Sequence, residues 1–155
     1  MAFMMQNEVL LDASPEEVWM AINDAELLKL SIPGCESLER GEDGAFNATV
    51  KLKIGPISAR FKGVVRFVDV DAPASCRIVG EGQGGIAGFA KGGARIRLTP
   101  AGGATRLSYE VEAEIGGKIA QLGSRLIDGV AKKLSEQFFQ NFSKTFSASS
   151  GRSAA

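Results

Sequence analysis

Apolar and polar residues alternate through much of the chain, most clearly from Phe46, from Ile57, from Ala90 and from Thr105. Successive side chains of a β-strand point to opposite faces, so this alternation predicts strands with one face in water and one against a core. Residues 76–81 predict a further strand. The apolar face repeatedly carries Gly or Ala. A curved sheet lined in this way leaves volume beneath it, which predicts a pocket for an apolar molecule.

The N-terminal part of the chain predicts a first strand over residues 4–11 and then two short helices. Ser14 suits the N-cap of the first helix, and Glu17 completes a capping box with it. A second helix over residues 25–30 must end before Pro33, because a residue that precedes proline disfavours the helical conformation. A short strand over residues 36–40 leads into the next strands.

One long amphipathic helix is predicted over residues 118–146. Its apolar positions recur at spacings of three and four, namely Ile119, Leu122, Leu126, Val130, Leu134, Phe138 and Phe142. A helix of this kind after an antiparallel sheet must bury its apolar stripe in the concave face of the sheet. The predicted fold is therefore α+β and helix-grip: a curved antiparallel sheet of about seven strands around a long C-terminal helix. Residues 1–146 form the predicted single domain, and the small, polar residues 147–155 a disordered tail.

Charge and hydropathy narrow the classes of partner. The 18 basic and 18 acidic residues cancel, so no overall field favours nucleic acid. The sequence contains no 18-residue apolar run and no signal-peptide pattern, which predicts a cytoplasmic protein. Cys35 and Cys76 give no disulfide framework, and we expect them to be reduced.

The absence of histidine bears on catalysis. Histidine is the commonest acid–base group at neutral pH and the commonest transition-metal ligand, and the chain has none. We therefore predict no catalytic residue and no metal site. Residues 80–85 (GEGQGG) match the glycine pattern of dinucleotide sites, but no helix is predicted after them, so nucleotide binding is disfavoured.

The predicted pocket has a wall and a gate. Its lining comprises Phe46, Val50, Phe61, Val65, Phe67, Ile78, Ile96, Leu107, Tyr109, Leu122, Leu126 and Val130. Leu27, Ile32 and Pro33 would gate it, or would simply plug one end of the core. Gly84 and Gly85 would form a flexible loop at the mouth, or a tight hairpin. The hydroxyl of Tyr109 needs a partner, which is a ligand carbonyl, a main-chain carbonyl or a water.

Four phenylalanines crowd the end of the long helix and cover more than one face: Phe138, Phe139, Phe142 and Phe146. Phe138 and Phe142 suit packing on the sheet. An exposed pair of Phe139 and Phe146 would suit a homodimer or membrane contact. The alternative is packing against the first helices, near Trp19.

Several motifs together resemble the carbon monoxide dehydrogenase G-subunit (CoxG) family of the START-like helix-grip (SRPBCC) superfamily. They are residues 14–19 (SPEEVW), 32–38 (IPGCESL), 84–98 (GGIAGFAKGGARIRL) and 105–109 (TRLSY), the last followed by the long helix. The resemblance implies a cavity between sheet and helix. It also implies an accessory protein that serves a molybdenum-containing CO dehydrogenase-type hydroxylase, in its membrane recruitment or its supply with a quinone as electron acceptor.

The leading hypothesis is therefore a non-catalytic protein that binds a quinone or lipid and works at the inner face of the cell membrane. A START-like cyclase or hydrolase that acts on an aromatic substrate is the second hypothesis. A structural adaptor whose core is filled by its own side chains is the third.

Overall fold

The computed structural model describes residues 1–154 and, for side chains, residues 1–146. Within this part the elements run in chain order as β1 (Ala2–Leu11), α1 (Pro15–Ile22), α2 (Ala25–Ser31), β2 (Cys35–Arg40), β3 (Phe46–Ile54), β4 (Ile57–Asp71), β5 (Ser75–Gln83), β6 (Phe89–Ala101), β7 (Ala104–Gly116) and α3 (Ser124–Ala154). Two 3₁₀ turns, Gly85–Ala87 and Lys118–Leu122, lie in the connections. The α+β composition and the order of elements agree with the prediction.

The seven strands of the described chain form one antiparallel sheet in the order β1-β7-β6-β5-β4-β3-β2. Strands adjacent in sequence are adjacent in the sheet from β2 to β7, as short turns predict. β1 pairs with β7, so β1 and β2 are the two edges. This curved sheet with a long C-terminal helix confirms the predicted helix-grip architecture.

The capping predictions for the two short helices are confirmed. The main-chain N–H of Glu17 donates to Ser14 Oγ at 3.2 Å, and Glu17 Oε1 accepts from the N–H of Ser14 at 3.4 Å. Asp24 Oδ1 accepts from the N–H groups of Glu26 and Leu27 at the start of α2. These caps satisfy main-chain donors that have no partner within the helix.

The start of the long helix differs from the prediction. The apolar spacing extends back to Ile119, but residues Lys118–Leu122 form a 3₁₀ turn, and α3 begins at Ser124. Gly123 separates the two with a φ of 92°, a left-handed conformation that interrupts an α-helix. Leu122 therefore precedes the helix. Beyond Phe146 only the backbone of α3 is described, so the division into a domain of residues 1–146 and a disordered tail of residues 147–155 stays a prediction.

Two apolar cores hold the sheet to the helices. The first joins α1 and the C-terminal half of α3 to β1, β6 and β7; its buried members are Leu11, Ala13, Val18, Ala21, Ile22, Leu98, Leu107, Tyr109, Phe142 and Phe146. The second joins the start of α3 to the other end of the sheet; its buried members are Phe3, Ile54, Ile115, Ile119 and Ile127. Met5 and Val111 pack against both cores.

Glycines in the middle of the sheet allow neighbouring strands to approach closely. A Cβ at Gly92 would overlap the carbonyl oxygen of Glu112 on β7, and one at Gly80 would lie 2.8 Å from that of Val64 on β4. Gly80 and Gly92 are direct partners in the β5–β6 register. Any side chain here would force the strands apart, so these glycines are part of how the sheet curves.

A pair of glycine-to-alanine substitutions should change stability in opposite directions. We expect Gly92→Ala to lower the free energy of unfolding by about 1–3 kcal/mol, because its methyl group overlaps β7. We expect Gly129→Ala to raise it by roughly 0.5–1 kcal/mol, because Gly129 lies within α3 and a Cβ there meets nothing within 4 Å. Urea denaturation of the two variants measures both. Equal effects would show that Gly92 is not sterically required.

Candidate functional site

The region between the two cores is lined by apolar side chains that neither core buries. Val50, Val65, Ile78 and Ala94 lie on four adjacent strands, β3 to β6, and all four are only half-buried. They belong to neither core, nor does the half-buried Leu134 in the middle of α3. We call this region, bounded by these five residues, the inner hollow.

The register places the predicted sheet lining on one face, as the alternation requires. Phe46 is paired with Val65, Phe67 with Ile78, and Ile96 with Tyr109. Three of the twelve predicted lining residues are buried, namely Phe46, Leu107 and Tyr109. The other nine are half-buried: Val50, Phe61, Val65, Phe67, Ile78, Ile96, Leu122, Leu126 and Val130. That they line a ligand site stays a prediction.

The lining divides between the cores and the hollow. Phe67 and Ile96 pack against the first core, beside Leu107 and Tyr109. Phe61, Leu122, Leu126 and Val130 pack against the second core. Val50, Val65 and Ile78 face the inner hollow. The predicted set is therefore divided among the first core, the second core and the residues that belong to neither.

Aromatic side chains border the end of the hollow near the first core. Phe67 is in edge contact with Phe46, with ring centroids 5.8 Å apart, and with Trp19 of α1 at 6.2 Å. The guanidinium of Arg40 lies 4.5 Å from the centre of the Phe46 ring. Trp19 is the only tryptophan, so its fluorescence reports on this end of the hollow.

The phenylalanines of α3 pack inside the protein. Phe139 stacks on Tyr109, with centroids 5.3 Å apart and an interplanar angle of 26°. Phe146 is buried in the first core, in edge contact with Phe142. Phe139 and Phe146 therefore do not form an exposed pair: Phe139 packs on β7, and Phe146 lies in the first core together with residues of α1. Packing near Trp19 itself stays a prediction. The homodimer stays a prediction that this pair no longer supports.

A slot between β1 and the middle of α3 has a volume of about 350 Å³. Its floor includes Phe3, Met5, Tyr109 and Phe139, and its rim carries Gln6, Asn7, Asp128, Lys132 and Glu136. We call it the β1–α3 slot, and it was not predicted from the sequence. The sequence feature that indicates this slot is Asn7, a polar residue on the same inward face of β1 as Met5 and Val9.

Two larger depressions, of about 710 and 760 Å³, lie on the outer face of the sheet. Arg77, Arg95 and Glu110 contribute to both. Charged walls open to water do not suit an apolar ligand, which would have to desolvate them. Size alone therefore does not identify the apolar site.

The predicted gate near α2 is attached on two sides. The side-chain amide of Asn141 on α3 donates to the carbonyl of Ser31 at 3.1 Å. The N–H of Lys51 on β3 donates to the carbonyl of Gly34 at 2.9 Å. Leu27 is half-buried against the first core. Ile32 and Pro33, between these attachments, are also half-buried, and gating by the segment stays a prediction.

The glycine-rich loop lies against one wall of the predicted pocket. A Cβ at Gly84 would overlap the ring of Phe61. Gly85 has a φ of 61° in the 3₁₀ turn that follows, and β6 then begins at Phe89. Because no α-helix starts after this loop, the main-chain donors that bind a pyrophosphate at a helix N-terminus are missing from it. Gly84 and Gly85 remain gate candidates.

Both cysteines are free thiols. Cys76 is buried on the inward face, paired with Ile96, and burial raises its pKa to about 11. Burial also raises the pKa of Cys35, which is half-buried and lies at the start of β2. Neither has the lowered pKa of a reactive cysteine.

Comparison with known protein families gives a match over residues 8–147, to the family described as the carbon monoxide dehydrogenase G-subunit (CoxG). No curated protein matches the chain. None of the helices in the described residues is both long and apolar enough to cross a bilayer.

Solved structures share the fold. A conserved protein from Geobacillus kaustophilus is 31% identical, with a TM-score of 0.88 over 95% of this chain and 97% of that one. Ara h 8.0201 is 17% identical, with a TM-score of 0.66 over 95% and 99%. The Zhui aromatase/cyclase from Streptomyces sp. R1128 is 10% identical, with a TM-score of 0.69 over 95% and 94%. The last two share the START-like helix-grip fold and show nothing beyond it.

Alkylation of Cys76 should report on the inward face. In a Cys35→Ser variant at pH 8, we expect iodoacetamide to label Cys76 at least tenfold more slowly in folded than in urea-unfolded protein, because the thiolate is the reactive form. Raising the pH from about 9 towards 11 should speed labelling of the folded protein. The labelling rate of the unfolded protein should instead level off above the ordinary thiol pKa of about 8.5. Mass spectrometry measures both rates. Equal rates at pH 8 would contradict the buried placement.

Proposed function

The chain belongs to the carbon monoxide dehydrogenase G-subunit (CoxG) family, and from this we propose that it is a non-catalytic accessory protein that binds an apolar ligand in the inner hollow. One observation carries the proposal: Val50, Val65, Ile78 and Ala94 face inward on adjacent strands, yet neither core buries them. Apolar side chains left partly exposed in a concave face are typical of a ligand pocket.

The chemistry of the hollow favours a quinone or a lipid. Its walls are aliphatic and aromatic, and inward polar groups are few, chiefly Tyr109 and Asn7 on the β1–α3 slot side. Burial of each CH₂ of an isoprenoid or acyl tail contributes about 0.8 kcal/mol, so such a tail binds without specific polar contacts. A quinone ring adds carbonyl groups that suit a phenol or amide donor.

The proposed partner is a molybdenum-containing CO dehydrogenase-type hydroxylase. The family description supports a link to CO dehydrogenase. In this role the protein would deliver the electron acceptor to the enzyme, or recruit the enzyme to the inner face of the cell membrane. A quinone site fits the first task, because a quinone is an electron acceptor and needs an apolar environment.

One observation favours a second candidate, a cyclase or hydrolase that acts on an aromatic substrate. Tyr109 lies in the floor of the β1–α3 slot, and the carboxylates of Asp128 and Glu136 lie on its rim. A phenol and a carboxylate that face one cavity are able to act as acid and base. Turnover of an aromatic substrate that Tyr109→Phe abolishes would support this candidate over the carrier.

Quenching of Trp19 fluorescence by decylubiquinone tests the carrier directly. We expect saturable quenching in the wild-type protein, because Trp19 contacts Phe67 beside the hollow. Ala94→Phe places a phenyl group in the hollow, and we expect it to weaken binding at least tenfold while lowering the free energy of unfolding by less than about 1 kcal/mol. Val79→Phe, on the outer face of the neighbouring strand, is the matched control and should keep its affinity within twofold.

The outcomes separate the hypotheses. If Ala94→Phe destabilises the protein by several kcal/mol and the wild type does not bind, the space is a filled core, and the adaptor hypothesis stands. Native mass spectrometry of protein purified from a quinone-producing host gives an independent result. Recovery of no apolar ligand, with no saturable quenching, would reject the carrier.

A further inference from the structure

Three connections meet at the end of the sheet that holds the second core. They are the β3–β4 turn at Gly55, the β5–β6 loop of residues 84–88, and the β7–α3 connection of residues 117–123. Gly88 packs against Ile119, whose Cγ1 would lie 3.0 Å from a Cβ at Gly88. A Cβ at Gly55 would likewise lie 3.1 Å from Cδ1 of Leu126. We call this surface the three-loop end.

The β5–β6 loop presents an apolar side chain to water at its tip. Ile86 is 83% exposed, the largest exposed fraction among the exposed large hydrophobic residues of the described chain. Gly85 and Gly88, with φ values of 61° and 126°, flank it in the 3₁₀ turn. A single exposed apolar residue is ordinary on a protein surface. Ile86 differs from such a residue in the charges that surround it.

The chain segments that form the three-loop end carry basic but no acidic residues. Residues 53–58, 82–90 and 115–127 contain Lys53, Lys118 and Arg125 but no Asp or Glu, and all three basic side chains are exposed. The flanking acids along the chain are Glu81, Glu114 and Asp128. Glu114 is paired with the N-terminal ammonium at 2.9 Å. An exposed isoleucine among cations is the combination that binds an anionic lipid surface.

We propose that the three-loop end docks on an anionic lipid bilayer, with Ile86 inserted among the acyl chains and Lys53, Lys118 and Arg125 at the headgroups. This rests on the proposed function, because a ligand with a long apolar tail has to be exchanged with a membrane. The loop that carries Ile86 also lies on Phe61, a predicted wall of the hollow. A bilayer suits this surface better than an acidic protein, because the three cations lie on different elements, β3, the β7–α3 connection and α3, around an exposed apolar side chain that acyl chains would cover.

Sedimentation with vesicles tests the proposal. The full chain is mixed with vesicles of 30% phosphatidylglycerol in phosphatidylcholine, and with pure phosphatidylcholine. We expect binding to the anionic vesicles only, weakened at least fivefold by 0.5 M NaCl. Ile86→Asp should weaken it at least tenfold, and Lys118→Gln about threefold. The matched controls are Leu10→Asp, at a 63% exposed position on β1, and Lys133→Gln, an exposed α3 position, and both should stay within twofold.

A second readout locates the contact. In a Trp19→Phe/Ile86→Trp double variant, the new indole should shift to shorter wavelength on the anionic vesicles and be quenched by brominated lipid. No binding of the wild type, an unshifted indole, or equal loss in Leu10→Asp would overturn the proposal. Binding to polyglutamate without binding to vesicles would assign the surface to an acidic protein instead, and would overturn it too.

Failure here is distinguishable from failure of the carrier. Ile86→Asp should still show decylubiquinone quenching of Trp19 in vesicle-free solution, because Ile86 is exposed and belongs to neither core. If vesicle binding is lost while quinone binding is retained, the result bears on the role of the three-loop end and not on the hollow. Retained vesicle binding without quinone binding concerns the hollow alone.

Discussion

The fold depends on how closely the central strands approach one another. At Gly92 the main chain of the neighbouring strand occupies the place of a Cβ. At Gly80 a main-chain carbonyl oxygen of the neighbouring strand would lie 2.8 Å from a Cβ. The same two residues therefore do two things: they permit the sheet to curve around α3, and they contribute no atoms to its concave face. In an ordinary core, large side chains from sheet and helix interdigitate at native density. Here the geometry that brings the sheet around the helix also leaves inward residues such as Val65, Ile78 and Ala94 only half-buried.

The buried apolar contacts that stabilise the fold are consequently concentrated at the two ends of the sheet. The first core relies on Phe142, Leu11 and Val18, all fully buried, and the second on isoleucines from the sheet, the 3₁₀ turn and α3. Met5 and Val111 connect the cores along β1 and β7, so the two ends are joined on that side. On the side of β3 to β6 no such bridge is formed by Val50, Val65 or Ile78. Substitution of these three residues therefore cuts into neither core.

Much of this architecture follows from local signals in the sequence. Period-two alternation predicts the strands, and Ser14 with Glu17 predicts the start of α1, because both depend on neighbours in the chain. The predicted start of α3 was wrong, since apolar spacing continues through Gly123, where the backbone becomes left-handed. The β1–α3 slot was missed because it depends on how far α3 lies from an edge strand. Alternation assigns a residue to the inward face, but only the path of α3 decides whether a core buries it.

Tyr109 illustrates that last limit. Its inward orientation follows from the strand period, yet its role depends on Phe139, thirty positions later, whose place on α3 is set by where the helix begins after Gly123. The stack holds the ring of Tyr109 in the floor of a slot with a polar rim. The three-loop end, by contrast, offers isoleucine, glycine and cations. If the hollow holds a quinone, the two ends of the hollow offer that quinone different chemical groups. The carbonyl-bearing ring is then better placed towards Tyr109 and Asn7, and the tail towards Phe61, because Tyr109 and Asn7 are inward-facing donors, whereas the donors of the three-loop end are exposed to water.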